Sequence, residues 1–256
     1  MKLSIVIPVR NERDTVVQLI ERVRAVDCGM PKEIIVVDGA STDGTCDALR
    51  VLSQSSDFVL ILEDVARGKG RAVRTGIDRA TGDIVMVQDA DLELDPGEIP
   101  SLLAPIVSGQ TDVVFGSRFK GRGRGRTPLV GYAGNFLLTW AANAVFLTRL
   151  TDILTCYKVL RTPVARALDL RADGFDLDAE ITCRLLRDGY RIVEVPVTYE
   201  ARSVDDGKKL SASAGWSVLR AIVRVRLSRS RPRVAAARDQ HARAPVGATR
   251  SHDADR

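Results

Sequence analysis

Histidine is almost missing from this sequence. Only His241 and His252 occur, both in the C-terminal arginine-rich stretch, so a domain folded ahead of them works without imidazole. A Ser-His-Asp hydrolase and a His-ligated metal centre are thereby excluded. Cysteine is sparse: Cys28, Cys46, Cys156 and Cys183 show no C-x-x-C spacing. They read as reduced thiols of a cytosolic protein, with neither a disulfide frame nor a zinc site. A secretory leader is not expected, because an apolar strand pattern begins at Leu3. No G-x-x-x-x-G-K-[ST] phosphate loop occurs. The one long stretch without charge, Thr127 to Thr148, is interrupted by Pro128, two glycines and two asparagines. It reads as a buried helix; the alternatives are a segment dipping into a membrane interface and, least favoured, a full span.

Charge is present but unevenly placed. The net charge is +5. From Arg220 onward ten arginines face three aspartates, so the preceding residues are net acidic. Residues 216–228 carry Arg220, Arg224 and Arg226 among apolar positions, the pattern of a basic amphipathic helix suited to an anionic membrane surface. Residues 229–256 lack hydrophobic periodicity and are expected to be disordered. Residues 1–215 are expected to form one domain, with 45% hydrophobic content across the chain supplying its core.

Within that domain, apolar strand runs alternate with helix-period segments. Leu3–Val9, Glu33–Val37, Phe58–Leu62 and Ile84–Val87 are the strands of the first half, and Asp112–Phe115 follows. Continuous Val/Ile runs separated by helices predict an α/β fold, a mostly parallel central sheet with helices on both faces. In such sheets ligands bind at the carboxyl ends of the strands. The fourth run stops there in Gln88-Asp89-Ala90-Asp91. On an extended backbone both carboxylates point one way. Two hard anionic oxygen donors suit Mg2+ or Mn2+, with phosphate and water completing the shell.

Taken in order, five motifs form a series: Ser4-Ile-Val-Ile-Pro8 with Asn11-Glu12; Val36-Val37-Asp38 with Ser41-Thr42-Asp43-Gly44-Thr45; Gly68-Lys69-Gly70; Asp89-Ala90-Asp91; and Gly116-Ser117-Arg118-Phe119. The series resembles the inverting family 2 glycosyltransferases of GT-A fold, with the polyprenyl-phosphate sugar synthases (the dolichol-phosphate mannose synthase group) the nearest in pattern. The likeness runs over residues 2–228. It implies a hexosyl transfer from a nucleotide sugar, GDP-mannose or UDP-glucose, to a polyprenyl phosphate at the cytoplasmic membrane face. A second copy or a membrane-anchoring partner is compatible with it.

The resemblance also implies roles. Pro8, Arg10, Glu12, Val37 and Asp38 would contact the nucleotide; Asn11 and Glu12 equally suit capping of the next helix. Asp89 and Asp91, with Glu93 beside them and the Ala90 backbone alongside, would hold the metal on the diphosphate. Lys69 would lie near the donor. Arg118 would face a phosphate through its planar fork, and Arg202 and Lys208 would close over the donor. Asp178 and Glu180 match an acidic acceptor-side motif; an extended backbone would present both in one direction, and a helix N-terminus is the alternative setting. A hydroxyl acceptor would need one of them as base. Nucleic-acid binding through the arginine-rich tail is a reading from another class, and no recognition motif accompanies it. The chain departs from the family in three places: Gly39 follows Asp38 where a second Asp is usual, Tyr132 stands where His is common, and Ala212-Ser213-Ala214-Gly215 replaces a Trp-x-Asp-Gly pattern.

Overall fold

A computed structural model describes residues 1–55, 57–120, 129–201 and 212–228. Seven strands form one sheet: β1 (Leu3–Val9), β2 (Lys32–Asp38), β3 (Val59–Leu62), β4 (Ile84–Val87), β5 (Val113–Ser117), β6 (Lys158–Arg161) and β7 (Ile192–Pro196). Their spatial order is β3-β2-β1-β4-β6-β5-β7. The first four are parallel, with Val6 opposite both Ile35 and Val87. β6 runs antiparallel between β4 and β5, and β7 pairs in parallel with β5. The expected mostly parallel sheet is therefore present.

Among the described residues eight α-helices accompany these strands: α1 (Val16–Ala25), α2 (Thr45–Ser55), α3 (Lys69–Arg79), α4 (Ile99–Val107), α5 (Leu129–Phe146), α6 (Thr162–Ala167), α7 (Leu177–Arg187) and, after the last strand, α8 (Ala212–Leu227). α1 illustrates why they dock. Val16, Leu19, Ile20 and Val23 recur at helical spacing and are all buried, giving one apolar stripe against the sheet. β1, β2 and β4 are buried on both faces, which is why their sequences read as unbroken apolar runs; β3, at the sheet edge, is half-buried.

Two expectations change. α5 is not a wholly buried helix: Leu138 and Ala142 are buried, whereas Phe136, Leu137 and Trp140 are each about 60% exposed. Among the described residues no helix is long and apolar enough to cross a membrane. α8 is amphipathic as read, with Val218, Ala221, Ile222 and Val225 buried and Arg220, Arg224 and Arg226 exposed. Its apolar stripe, however, is packed into a second core with Leu138 and Ala142 of α5 and Ala179 and Cys183 of α7. The helix is a structural part of the folded unit. All four cysteines are free thiols.

Candidate functional site

Antiparallel insertion of β6 brings the carboxyl end of β4, the carboxyl end of β5 and the first residue of β6 to one edge of the sheet. Asp89, Arg118 and Lys158 sit at these three points. The opening of α3 completes the edge. Gly68 has φ +102°, and a Cβ there would lie 2.4 Å from the Asp173 carbonyl oxygen. Gly70 donates its N–H to that oxygen at 2.7 Å. Only glycines permit this contact, and it aims Lys69 inward.

The Lys69 ammonium meets both oxygens of Asp89, at 2.7 and 2.9 Å, and lies 3.7 Å from Asp178 Oδ2. Asp178 Oδ1 accepts from Lys158 Nζ at 2.9 Å. Lys158 is fully buried, donates to the Thr155 carbonyl and stands 5.0 Å from the Phe115 ring centre. Burial alone would raise the Asp178 pKa, but Lys158 and Lys69 hold it below the usual aspartate value. Burial would likewise lower Lys69, and Asp89 leads the groups that keep it well above the usual lysine value.

Arg118 forms a two-pronged pair with Asp152: Nε to Oδ2 at 2.7 Å and Nη2 to Oδ1 at 2.8 Å. Asp152 is fully buried, also accepts from Asn135 Nδ2 at 3.0 Å, and its own N–H donates to Glu194 at 3.1 Å. The guanidinium lies over Tyr199, 5.1 Å from the ring centre. The Tyr199 hydroxyl donates to Glu93 Oε2 at 2.7 Å.

Several expected residues take other places. The chain turns at Ala90–Asp91 instead of remaining extended, so Asp89 meets Lys69 while Asp91 Oδ1 accepts from the Glu93 N–H at 3.2 Å. Asp178 and Glu180 lie in the first turn of α7, and the helical backbone sends them apart. Glu180 is 1% exposed and accepts from the N–H groups of Arg171 and Ala172 and from the Arg184 guanidinium. It clamps the loop before α7 and does not join the Asp89 group. Pro8 and Val37 face each other across β1 and β2, both buried, so Val37 offers only backbone. Asp38 is committed to Ser41 through its N–H and hydroxyl. The Glu12 N–H donates to Thr45 Oγ1, and the Glu12 carbonyl accepts from Thr15 and Val16 at the start of α1, while Arg10 is exposed. Ala90 is buried. Arg202, Lys208 and residues 229–256 lie outside the described residues.

Asp152, Lys158 and Tyr199 belong to the site without having been singled out from sequence. Lys158 had a readable signal, a lone ammonium inside Tyr157-Lys158-Val159-Leu160, which demands a buried partner.

The glycosyl transferase family 2 model matches residues 4–161. Among curated relatives, dolichol-phosphate mannosyltransferase of Pyrococcus furiosus is 32% identical over 88% of this chain and 64% of its own length. Undecaprenyl-phosphate mannosyltransferase of Micrococcus luteus is 30% identical over 86% of this chain and 92% of its own. The chain thus spans a little under two thirds of the first of these. Glucosyl-3-phosphoglycerate synthase of Mycobacterium tuberculosis, crystallised with Mn2+, UDP and phosphoglyceric acid, superposes with TM-score 0.68 at 19% identity, covering 90% of this chain and 80% of that one. That likeness is one of GT-A fold. With the family model spanning the acidic strand end and the arginine loop alike, the chain belongs to glycosyl transferase family 2.

Proposed function

We propose that this protein transfers a hexosyl group, with inversion, from a nucleoside diphosphate sugar such as GDP-mannose or UDP-glucose to a polyprenyl phosphate. The observation that carries the acceptor class is Asp178, held between two ammonium groups at 2.9 and 3.7 Å. A carboxylate so stabilised is a weak base and serves a hydroxyl acceptor poorly. Phosphate oxygen is already ionised near neutral pH and needs no base. Glu180, whose oxygens are engaged, offers no substitute. The names of the Pyrococcus and Micrococcus relatives agree with this acceptor class.

In the reaction an acceptor phosphate oxygen bonds to the anomeric carbon from the face opposite the diphosphate. The bond from that carbon to the diphosphate oxygen breaks, and its electron pair leaves with the nucleoside diphosphate. Among the described residues, Lys69 and Arg118 are cations at this edge suited to the two sets of phosphates, and Asp152 keeps the Arg118 fork oriented. Asp89 and Asp91 suit a divalent cation. Asp89 already receives an ammonium on both oxygens, and two carboxylates plus phosphate oxygens form a donor set that Mg2+ or Mn2+ accepts. Glu93, bonded to Tyr199, would support that set from behind. Such a cation would neutralise charge on the departing diphosphate.

Attachment to a membrane surface is part of the same proposal. Phe136, Leu137 and Trp140 of α5 and Trp216, Val223 and Leu227 of α8 are exposed, and α8 adds three arginines. A cleft of about 260 Å³ beside α5 runs from Phe119, next to Arg118, to Trp140 and offers an apolar wall to a prenyl chain. The test is nucleoside diphosphate release from GDP-mannose, UDP-glucose and UDP-GlcNAc, each with and without a short polyprenyl phosphate. Release that requires the lipid phosphate is expected. Release indifferent to it overturns the acceptor assignment.

A further inference from the structure

Glu63 follows β3, and its N–H donates to the Asp38 carbonyl at 2.9 Å, which fixes it beside the end of β2. One of its carboxylate oxygens is engaged: Oε1 accepts from Thr75 Oγ1 at 3.1 Å and lies 4.0 Å from Arg71 Nε. The other, Oε2, is buried and has no hydrogen-bond partner among the described residues. A buried carboxylate oxygen without a donor is costly, and a ligand that supplies the missing N–H removes the cost.

That oxygen faces Gly39. A Cβ placed on Gly39 would stand 4.0 Å from Glu63 Oε2 and 3.6 Å from the Val9 carbonyl, ordinary contact distances, so there is room for an atom. Both bounding atoms are acceptors, and the Val9 carbonyl already takes the Gly39 N–H at 2.9 Å. A group entering this space must bring a hydrogen-bond donor. The space lies at the carboxyl ends of β1 and β2, the edge of the sheet where β4 ends in Asp89.

We propose that Glu63 selects the nucleobase of the donor: Oε2 accepts the central N–H of the base's pairing edge, N3–H of uracil or N1–H of guanine. Cytosine and adenine present a lone pair at that position, which a carboxylate repels. The inference rests on the nucleotide-sugar reading of the site and adds the base class to it.

Calorimetric titration of the full chain with UDP, CDP, GDP and ADP, in Mg2+, tests it. The wild type is expected to bind one of UDP and GDP at least about tenfold more tightly than its counterpart CDP or ADP. Glu63→Gln turns an amide toward the base and should bring that ratio close to one. Glu63→Asp keeps the charge but withdraws the oxygen by one methylene, and should lower the ratio as well. A uniform loss for all four nucleotides, or an unchanged ratio in both variants, overturns the role and leaves Glu63 as a brace for Thr75 and Arg71. A wild type that does not distinguish the bases overturns it too. Failure of all four nucleotides to bind the wild type would instead remove the transferase reading itself, and this inference with it.

Discussion

Replacing Asp152 by Asn keeps the shape of the site and removes one charge from a buried ion pair. The carboxylate is fully buried, the Arg118 side chain is 16% exposed, and the two are joined by hydrogen bonds of 2.7 and 2.8 Å. Water does little to screen such a pair, so the variant leaves the guanidinium without its counter-charge. Removing one partner of a buried pair typically costs about 3–5 kcal/mol. The Asn keeps one acceptor oxygen, enough for Asn135 Nδ2 and Arg118 Nη2 on the Oδ1 side but not for the Arg118 backbone N–H and Nε, which bond Oδ2. A loss of at least about 3 kcal/mol is expected. For a domain of this size that lowers the melting temperature by roughly 6–12 °C. Arg118→Met should cost a similar amount, because Asp152 is then the stranded charge. Urea unfolding of the wild type, both single variants and the double variant closes a cycle. A coupling of about 2–4 kcal/mol is expected. Coupling below about 0.5 kcal/mol, the level of an exposed pair, would refute the claim that Asp152 holds Arg118 in place.

Lys158→Met leaves Asp178 with the Lys69 ammonium at 3.7 Å as its nearest cation, so a stability deficit of about 3 kcal/mol is expected near pH 7. The wild-type carboxyl titrates below its ordinary value, so its contribution is present above the unfolded pKa and disappears as pH falls. The gap between variant and wild type should therefore narrow below about pH 5, and a gap independent of pH would refute the pairing. Glu33 accepts from Lys2, from Ser4 and twice from Thr81, through its N–H and its hydroxyl; burial alone would raise its pKa, but these bonds bring it down to about 2. Glu33→Gln should cost about 1–2 kcal/mol at pH 7, with the deficit fading between about pH 4.5 and 2 in acid titrations followed by circular dichroism. In Gly70→Ala the new methyl would lie 2.4 Å from the Ala172 carbonyl oxygen and 2.8 Å from the Asp173 carbonyl carbon. A loss of about 1–3 kcal/mol by thermal melting, with weakened UDP or GDP binding, is expected; unaltered melting would show that the α3 opening does not depend on this approach.

The parallel half of the sheet was legible because strands covered on both faces leave unbroken Val/Ile runs, and β4 ends where its carboxylates begin. β6 was not. Its Lys158 breaks the apolar pattern, and the Asp178 that makes its burial tolerable is twenty residues away, joined only by tertiary structure. The same limit applies to Asp152, an unremarkable acid in sequence that proves to be the seat of Arg118. Asp178 and Glu180 look equivalent at two-residue spacing, but a helix turns them to opposite tasks, one at the edge of the sheet and one under the loop before α7. For α5, the lack of charge predicts burial, yet Phe136, Leu137 and Trp140 are exposed. Its exposed face is apolar, and hydrophobicity alone does not tell a core from a surface awaiting a partner.

The antiparallel β6 also sets an order of events during synthesis. Strands β3, β2, β1 and β4 pair with one another in that order, and all are made by residue 87. The outer edge of β4 and the inner edge of β5 must then wait for residues 158–161 to leave the ribosome. At ordinary elongation rates that interval is roughly 4–15 s. During it the nascent chain carries a finished acidic strand end and the lysine that meets it, yet no Arg118–Asp152 pair and no Lys158–Asp178 pair. The half-site is joined to an unpaired β edge, the surface that chaperones protect and that aggregating chains share. One strand laid in backwards thus makes the site complete only when its two halves are sewn together, and it leaves the ribosome-bound chain most vulnerable just before that.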